Sequence, residues 1–222
     1  MASETIQSPN LSRGLPPGQK FVRNFPVYDI TPARPQFDPQ TWRFKTWGTI
    51  EKSLEWTWEE LRAFPTVEVE ANFHCVTKWS KKSLQWRGVP TADIVEQVEP
   101  KSEAVQVMAH CLEGYTTNLP ADYLRLEDSI LAFEMEGKPL TPNHGAPLRL
   151  LVPQLYAWKS AKYVNGLEWQ TEWQPGFWEQ RGYHMIGDPW EEQRYWEPIE
   201  KVREWWRKVR IAKVERPGDV DP

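Results

Sequence analysis

The segment Val67-Glu68-Val69-Glu70-Ala71-Asn72-Phe73-His74-Cys75 places apolar residues on odd positions with polar residues between them. Successive side chains of a strand point to opposite faces, so this period of two describes a half-buried β-strand with Cys75 on the inward face. Three further segments read as strands: Ala104–Cys111, with Val105, Val107, Ala109 and Cys111 on one parity, then Ser129–Glu136 and Pro147–Val152. A regular pattern also runs over Trp42–Ile50. Thr57 and Glu60 have the spacing of a capping box ahead of a short helix ended by Pro65, and Thr91–Val98 is expected to be a helix capped at Thr91. Strands dominate, with short helices between them, so the expected class is α+β with a mixed, β-rich sheet.

Outward from this centre the two ends differ in character. Seven prolines lie between Met1 and Thr41 with no helical or strand period of useful length, so residues 1–20 are expected to form an extended arm. At the other end, Pro198–Lys213 carries Ile199, Val202, Trp205, Trp206 and Val209 at helical spacing, which predicts an amphipathic helix docked on the domain. The expected organisation is an arm over 1–20, a single domain over 21–190, and a C-terminal helix and tail over 191–222.

Composition removes several classes. The 222 residues include 27 basic and 31 acidic side chains, interleaved, for a formal charge of −4, which does not suit a surface that tracks nucleic-acid phosphates. Apolar content of 40% is too high for a disordered chain. The longest apolar stretch, Ala146–Trp158, contains Arg149 and two prolines and falls well short of the ~20 residues of a membrane span. Residues 1–20 show no apolar signal core and no Arg-Arg pair, so cytoplasmic residence is expected. Two cysteines make no disulfide scaffold and fit a reducing compartment.

No G-x-G-x-x-G, P-loop, H-E-x-x-H or G-x-S-x-G occurs. His74-Cys75 and His110-Cys111 are neighbours on strands, so each pair turns its members to opposite faces and suits zinc poorly. What remains is Cys75 and a downstream cluster, Asn143-His144-Gly145-Ala146-Pro147-Leu148-Arg149, followed by Lys159-Ser160-Ala161-Lys162-Tyr163. Thiolate is a soft ligand, while Arg, Lys, Ser and backbone N–H groups near a glycine form a donor set for a phosphate or polar heterocycle. Together they suit a phosphorylated metal cofactor. The same residues also fit a small core cysteine with solvated charges around it.

The stretch Phe133-Glu134-Met135-Glu136-Gly137-Lys138-Pro139-Leu140-Thr141-Pro142-Asn143-His144-Gly145-Ala146-Pro147-Leu148-Arg149 resembles the E-M-N-G-x-P-L-x-x-x-H-G-x-P-x-R segment of the sulfite oxidase superfamily of molybdopterin enzymes. The likeness extends to Phe21–Val27, similar to the family's R-N-H-x-P-V-P start, to Val67–Cys75, to Gly114–Pro120 and to Lys159–Tyr163, and so covers roughly residues 21 to 187. Gly182–Trp190 looks like the small, haem-free branch. The resemblance implies a sulfite oxidase fold and one molybdopterin, with molybdenum held by the Cys75 thiolate. It implies that His144 and Arg149 contact the pterin, that Asn24 sits at the cofactor edge, and that Ser160 and Lys162 bind its phosphate. It further implies a substrate-side role for Arg23 and hydrogen-bond donation to an oxo or oxyanion group by Tyr115.

Departures from the family pattern bear on substrate. Cys75-Val76-Thr77-Lys78-Trp79 stands where the family has C-A-G-N-R, and Phe25 stands where His is frequent. A sulfite pocket thereby loses one arginine, and Lys78 offers only a point charge. Lys78, Lys81, Lys82 and Arg87 are read as a basic loop at the rim. The expected reaction is two-electron oxygen-atom transfer on a small oxo-bearing substrate such as an S-oxide or N-oxide. With no haem, flavin or iron–sulfur motif in the sequence, electrons are expected to pass through a separate donor or acceptor protein. A sulfite-oxidising enzyme, a non-catalytic module that kept the fold, and a Trp-rich recognition domain remain alternatives. Cys111 reads as a core thiol, His110 and His184 are unassigned, and the 14 tryptophans read as packing.

Overall fold

The computed structural model describes residues 5–30 and 34–196 together with the backbone of residues 212 and 213. Along the chain run β1 (Thr5–Gln7), β2 (Lys20–Phe21), β3 (Tyr28–Asp29), β4 (Arg43–Gly48), β5 (Glu55–Thr57), α1 (Trp58–Arg62), β6 (Val67–His74) and β7 (Trp79–Pro90). They are followed by α2 (Thr91–Val98), β8 (Gln106–Cys111), β9 (Thr116–Pro120), β10 (Ile130–Met135), β11 (Lys138–Pro139), β12 (Arg149–Leu151) and β13 (Val164–Gln170), with short 3₁₀ turns between elements. One sheet has the order β1-β6-β7-β10-β11, with β12 on β10 and β2 on β7; the other has the order β5-β4-β13-β8-β9. Parallel and antiparallel pairs occur in both, as a mixed sheet requires.

The period of two at Val67–Cys75 becomes β6, with Val69, Ala71 and Phe73 buried. Its second half is covered on both faces, because Asn72 and His74 are buried as well. Two apolar clusters result. One gathers Phe44, Ile94, Val107, Leu119, Leu131, Leu167 and Trp169; the other gathers Val69, Phe73, Trp86, Leu151, Tyr156 and Tyr183 around Cys75.

Several expectations change. The Thr57/Glu60 capping box forms on α1, with both reciprocal hydrogen bonds. Thr91 does not cap α2: it lies inside the helix, fully buried, and its hydroxyl donates to the Leu124 carbonyl at 2.7 Å, while Pro90 occupies the cap. Of the basic stretch read as a loop, Lys81, Lys82 and Arg87 lie in β7, the longest strand among the described residues, because Trp79, Leu84 and Trp86 give it a buried face, and Lys78 sits in the turn before it. The described part of the expected arm, residues 5–20, is packed on the domain. β1 pairs in parallel with β6, and Asn10 is fully buried with its amide donating to Asn72 O at 2.8 Å and Pro153 O at 3.0 Å. The helix expected over Pro198–Lys213 lies outside the described residues, except that Ala212–Lys213 forms a strand, β14, on β3.

A buried ion pair stands behind the site region. Lys159 and Glu179 are both fully buried and paired to each other. The Lys159 ammonium also donates to Asn118 O at 2.6 Å and Met185 O at 2.7 Å, while Glu179 accepts from Trp158 Nε1 at 2.7 Å and Thr117 Oγ1 at 3.1 Å.

Two stability measurements test these couplings. Asn10→Ala leaves the Asn72 N–H and two carbonyls without partners, and should lower unfolding free energy by ~2–4 kcal/mol in urea titration at an unchanged m-value. Glu179→Leu strands the Lys159 ammonium and should cost ~3–5 kcal/mol. Adding Lys159→Met to Glu179→Leu should recover a substantial part of that loss, and equal destabilisation in the single and double variants would show that charge burial is not the cause.

Candidate active site

Cys75 follows directly on β6 and begins a turn fixed from several directions. Its N–H donates to Trp79 O at 2.8 Å, and its carbonyl accepts from Lys78 N at 3.1 Å and from the Gln19 amide at 2.9 Å. Arg194 donates to the next carbonyl, that of Val76, at 2.6 Å. The thiol lies 3.2 Å from the Thr77 hydroxyl, and burial pushes its pKa up. Such a thiol stays protonated unless a cation is bound against it.

The thiol faces a cavity lined by the segment Phe25–Ile30, by Glu113 and Tyr115 between β8 and β9, by Asn143 and His144, by Arg149 at the start of β12, and by residues 157, 158 and 160–163. Phe73, Trp79, Trp158, Trp178 and Tyr183 complete an aromatic wall. Of the residues singled out in the sequence, Cys75, Tyr115, His144, Arg149, Ser160 and Lys162 line this one cavity. Arg23 and Asn24 do not: both are exposed. The reason is local. The chain leaving β2 is held at the sheet edge by Lys81, whose ammonium donates to Arg23 O at 2.5 Å, and the inward position falls to Phe25, which stacks on His144 at 4.8 Å.

Arg149 is buried, lies 4.8 Å from the Phe73 ring centre, and donates to His144 O at 3.1 Å. Burial lowers its pKa to about 10, against the opposing pull of Tyr163, Tyr115, Asp29 and Cys75, so it remains a cation at neutral pH. Ser160 accepts the Val152 N–H at 2.9 Å, which leaves its hydroxyl proton for the cavity. Lys162 is paired with Asp29 and donates to Tyr28 O at 2.7 Å and Asn143 O at 3.1 Å. Tyr115 donates its phenolic proton to Trp158 O at 2.7 Å, so donation to an oxyanion would require that bond to break. Gly145 has φ +108°, and a Cβ there would come within 3.0 Å of the Lys162 side chain, so the His-Gly pair serves close approach of two site segments.

The sequence reading missed part of the lining. Trp79, Trp158 and Trp178 are site residues as well as packing, and Asp29 and Glu113 are the site's acids. None of Lys78, Lys81, Lys82 and Arg87 lines the cavity, and Arg87 faces Glu134 at 3.8 Å. His110 bonds Glu168 at 2.9 Å, and His184 accepts from the N–H groups of Ile186 and Gly187.

The cavity fits a phosphorylated heterocycle carrying a soft metal. Arg149 Nε and Asn143 Oδ1 are buried without hydrogen-bond partners, at the wall shared with the Cys75 thiol, the Ser160 hydroxyl and the Lys162 ammonium. Buried polar atoms of this kind call for a polar ligand. Among the described residues no helix is long and apolar enough to cross a membrane.

Comparison with known proteins gives a concordant result. Residues 31–178 match the family model of the oxidoreductase molybdopterin binding domain. The uncharacterized oxidoreductase YuiH of Bacillus subtilis is 43% identical over 86% of this chain and 96% of that protein. The putative protein-methionine-sulfoxide reductase subunit YedZ1 of Azospira oryzae is 27% identical over 81% of this chain and 69% of its own length. The protein-methionine-sulfoxide reductase catalytic subunit MsrP of Campylobacter jejuni is 32% identical over 64% of this chain, which spans 54% of that protein. The sulfane dehydrogenase SoxCD of Paracoccus pantotrophus superposes with a TM-score of 0.58 at 21% identity, over 67% of this chain and 42% of that one, and shares the fold. The chain belongs to the oxidoreductase molybdopterin-binding domain family and is a sulfite oxidase-like, molybdenum-dependent oxidoreductase.

Proposed function

We propose that this chain reduces a neutral S-oxide, receiving electrons from a separate protein. The observation that carries the reading is the charge balance of the cavity. Its lining lysine and arginine are Lys162, neutralised by Asp29, and Arg149, the residue matched to the pterin. Sulfite is a compact dianion, and drawing it out of water needs several fixed cations left over after the cofactor is held. An S-oxide brings one dipolar oxygen and apolar substituents, which suit the aromatic wall of Trp79, Trp158 and Trp178. Two of the similar proteins carry names that refer to methionine-sulfoxide reduction, which supports the same class.

In this reading Cys75 holds molybdenum, His144 and Arg149 orient the pterin, and Ser160 with Lys162 takes its phosphate. Lys162 must then exchange Asp29 for the phosphate oxygens. Bound there, the cofactor supplies two-electron oxygen-atom exchange. Tyr115 remains a phenol throughout, because burial raises its pKa well above the ordinary range, and it acts as a hydrogen-bonding group beside the metal. Arg23 and Asn24 are exposed and do not line the cavity, so this reading assigns them no contact with the cofactor.

Two measurements test the reading. Cys75→Ser should abolish the thiolate-to-molybdenum charge-transfer absorption and turnover, whereas Cys111→Ser, a change among the core residues Val107 and Ala109, should retain both. Molybdenum-loaded protein with reduced viologen should turn over S-oxides. Efficient oxidation of micromolar sulfite with an artificial acceptor would reject the S-oxide assignment and point to an anion pocket completed by other cations.

A further inference from the structure

The turn between β8 and β9 closes on itself through Cys111 N to Tyr115 O at 3.0 Å and Gly114 N to Cys111 O at 2.9 Å. It thereby directs Glu113 into the cavity wall beside Tyr115, while the adjacent Gly114 is exposed to solvent. Glu113 Oε1 is buried and has no hydrogen-bond partner. A carboxyl oxygen in such a place is costly unless something is delivered to it or taken from it.

We propose that Glu113 is the proton donor of this cavity, passing protons from solvent to the oxygen released from the substrate. The proposal rests on the S-oxide reading. Reduction of a sulfoxide breaks the S–O bond, places two electrons on sulfur, and takes up two protons so that the oxygen leaves as water. The electrons come from the separate electron-donor protein, so the cavity wall must supply the protons.

Other groups in the wall are poorly suited. Tyr115 and Tyr163 have pKa values raised by burial, and both phenolic protons are engaged, with Trp158 O and Pro142 O. Asp29 is held by Lys162 and lies 3.8 Å from Arg34. His144 is stacked beneath Phe25. Glu113 differs in both geometry and acidity. Burial pushes its pKa up to about 7; its own backbone N–H and Lys162 oppose the shift, and Asp29 adds to it. The other titratable groups coupled to it, Cys111 and Tyr163, stay protonated and add no charge. A carboxyl with this pKa is protonated below neutrality and can be reloaded from water, the condition for a general acid near working pH.

The sign of the pH effect follows. The acid form is the donor, so S-oxide reduction should fall as pH rises through about 7. Glu113→Gln keeps the shape and removes the titration. It should retain parental molybdenum and pterin content, lose that falling limb, and lower the rate below pH 6 by about a hundredfold. Glu113→Asp should restore part of the rate and keep a limb. A readout independent of turnover is infrared difference spectroscopy. The parent should lose a carboxylic C=O band as pH rises through about 7, and the band should be missing from Glu113→Gln. A band that titrates in the ordinary carboxylate range, or an unchanged rate profile in Glu113→Gln, would overturn the assignment. Failure of the parent on every S-oxide would remove the substrate reading and this proposal with it, whereas parental turnover with an unaffected Glu113→Gln removes this proposal alone.

Discussion

The Lys159 ammonium, fully removed from solvent, binds the Glu179 carboxylate, the Asn118 carbonyl and the Met185 carbonyl. Through these contacts it joins β9, the turn that bears Trp158 and Ser160, and the chain around Trp178 and Tyr183. The last two of those segments give side chains to the cavity, and so does Tyr115, which directly precedes β9. Burial lowers the lysine pKa, and Glu179 works against that shift. A buried pair of this sort contributes little net stability over an apolar replacement but penalises any arrangement in which one partner is misplaced. Its consequence here is positional: the indole of Trp158 is fixed by the same carboxylate that neutralises Lys159.

A second set of constraints acts on Cys75, the proposed metal ligand. The thiol of Cys75 is placed by its backbone, and that backbone is held by groups far away in sequence, Gln19 before it and Arg194 after it. The N-terminal residues therefore belong to the site's support. Asn10 ties them to Asn72 inside β6, and β1 extends the sheet alongside. Local rigidity at the turn and long-range hydrogen bonding together set the direction of one sulfur atom.

Charged and apolar groups are divided between two sides of the cavity. Around Lys162 and Asp29 charges cancel in a pair that a phosphate could enter by exchange. Around Trp79, Trp158 and Trp178 the wall is apolar, while Glu113, whose charge neighbours are Lys162 and Asp29, belongs to the charged side.

The sequence by itself determined the class of the fold, because a period of two at Val67–Cys75 and a capping box at Thr57 and Glu60 are local patterns with local causes. Resemblance along Phe133–Arg149, and along Val67–Cys75, Gly114–Pro120 and Lys159–Tyr163, also pointed to the cofactor type and to six residues that share the cavity. Only the tertiary structure decided the rest. The proline-rich start looked like a free arm because no short pattern records a parallel pairing with β6 or a side chain such as Asn10 reaching Pro153. Arg23 matched a motif yet faces solvent, since the edge pairing of β2 hands the inward position to Phe25. Asp29, Glu113 and the three tryptophans carry no periodic signal; their roles arise from segments brought together across the fold, where burial and proximity set charge and direction.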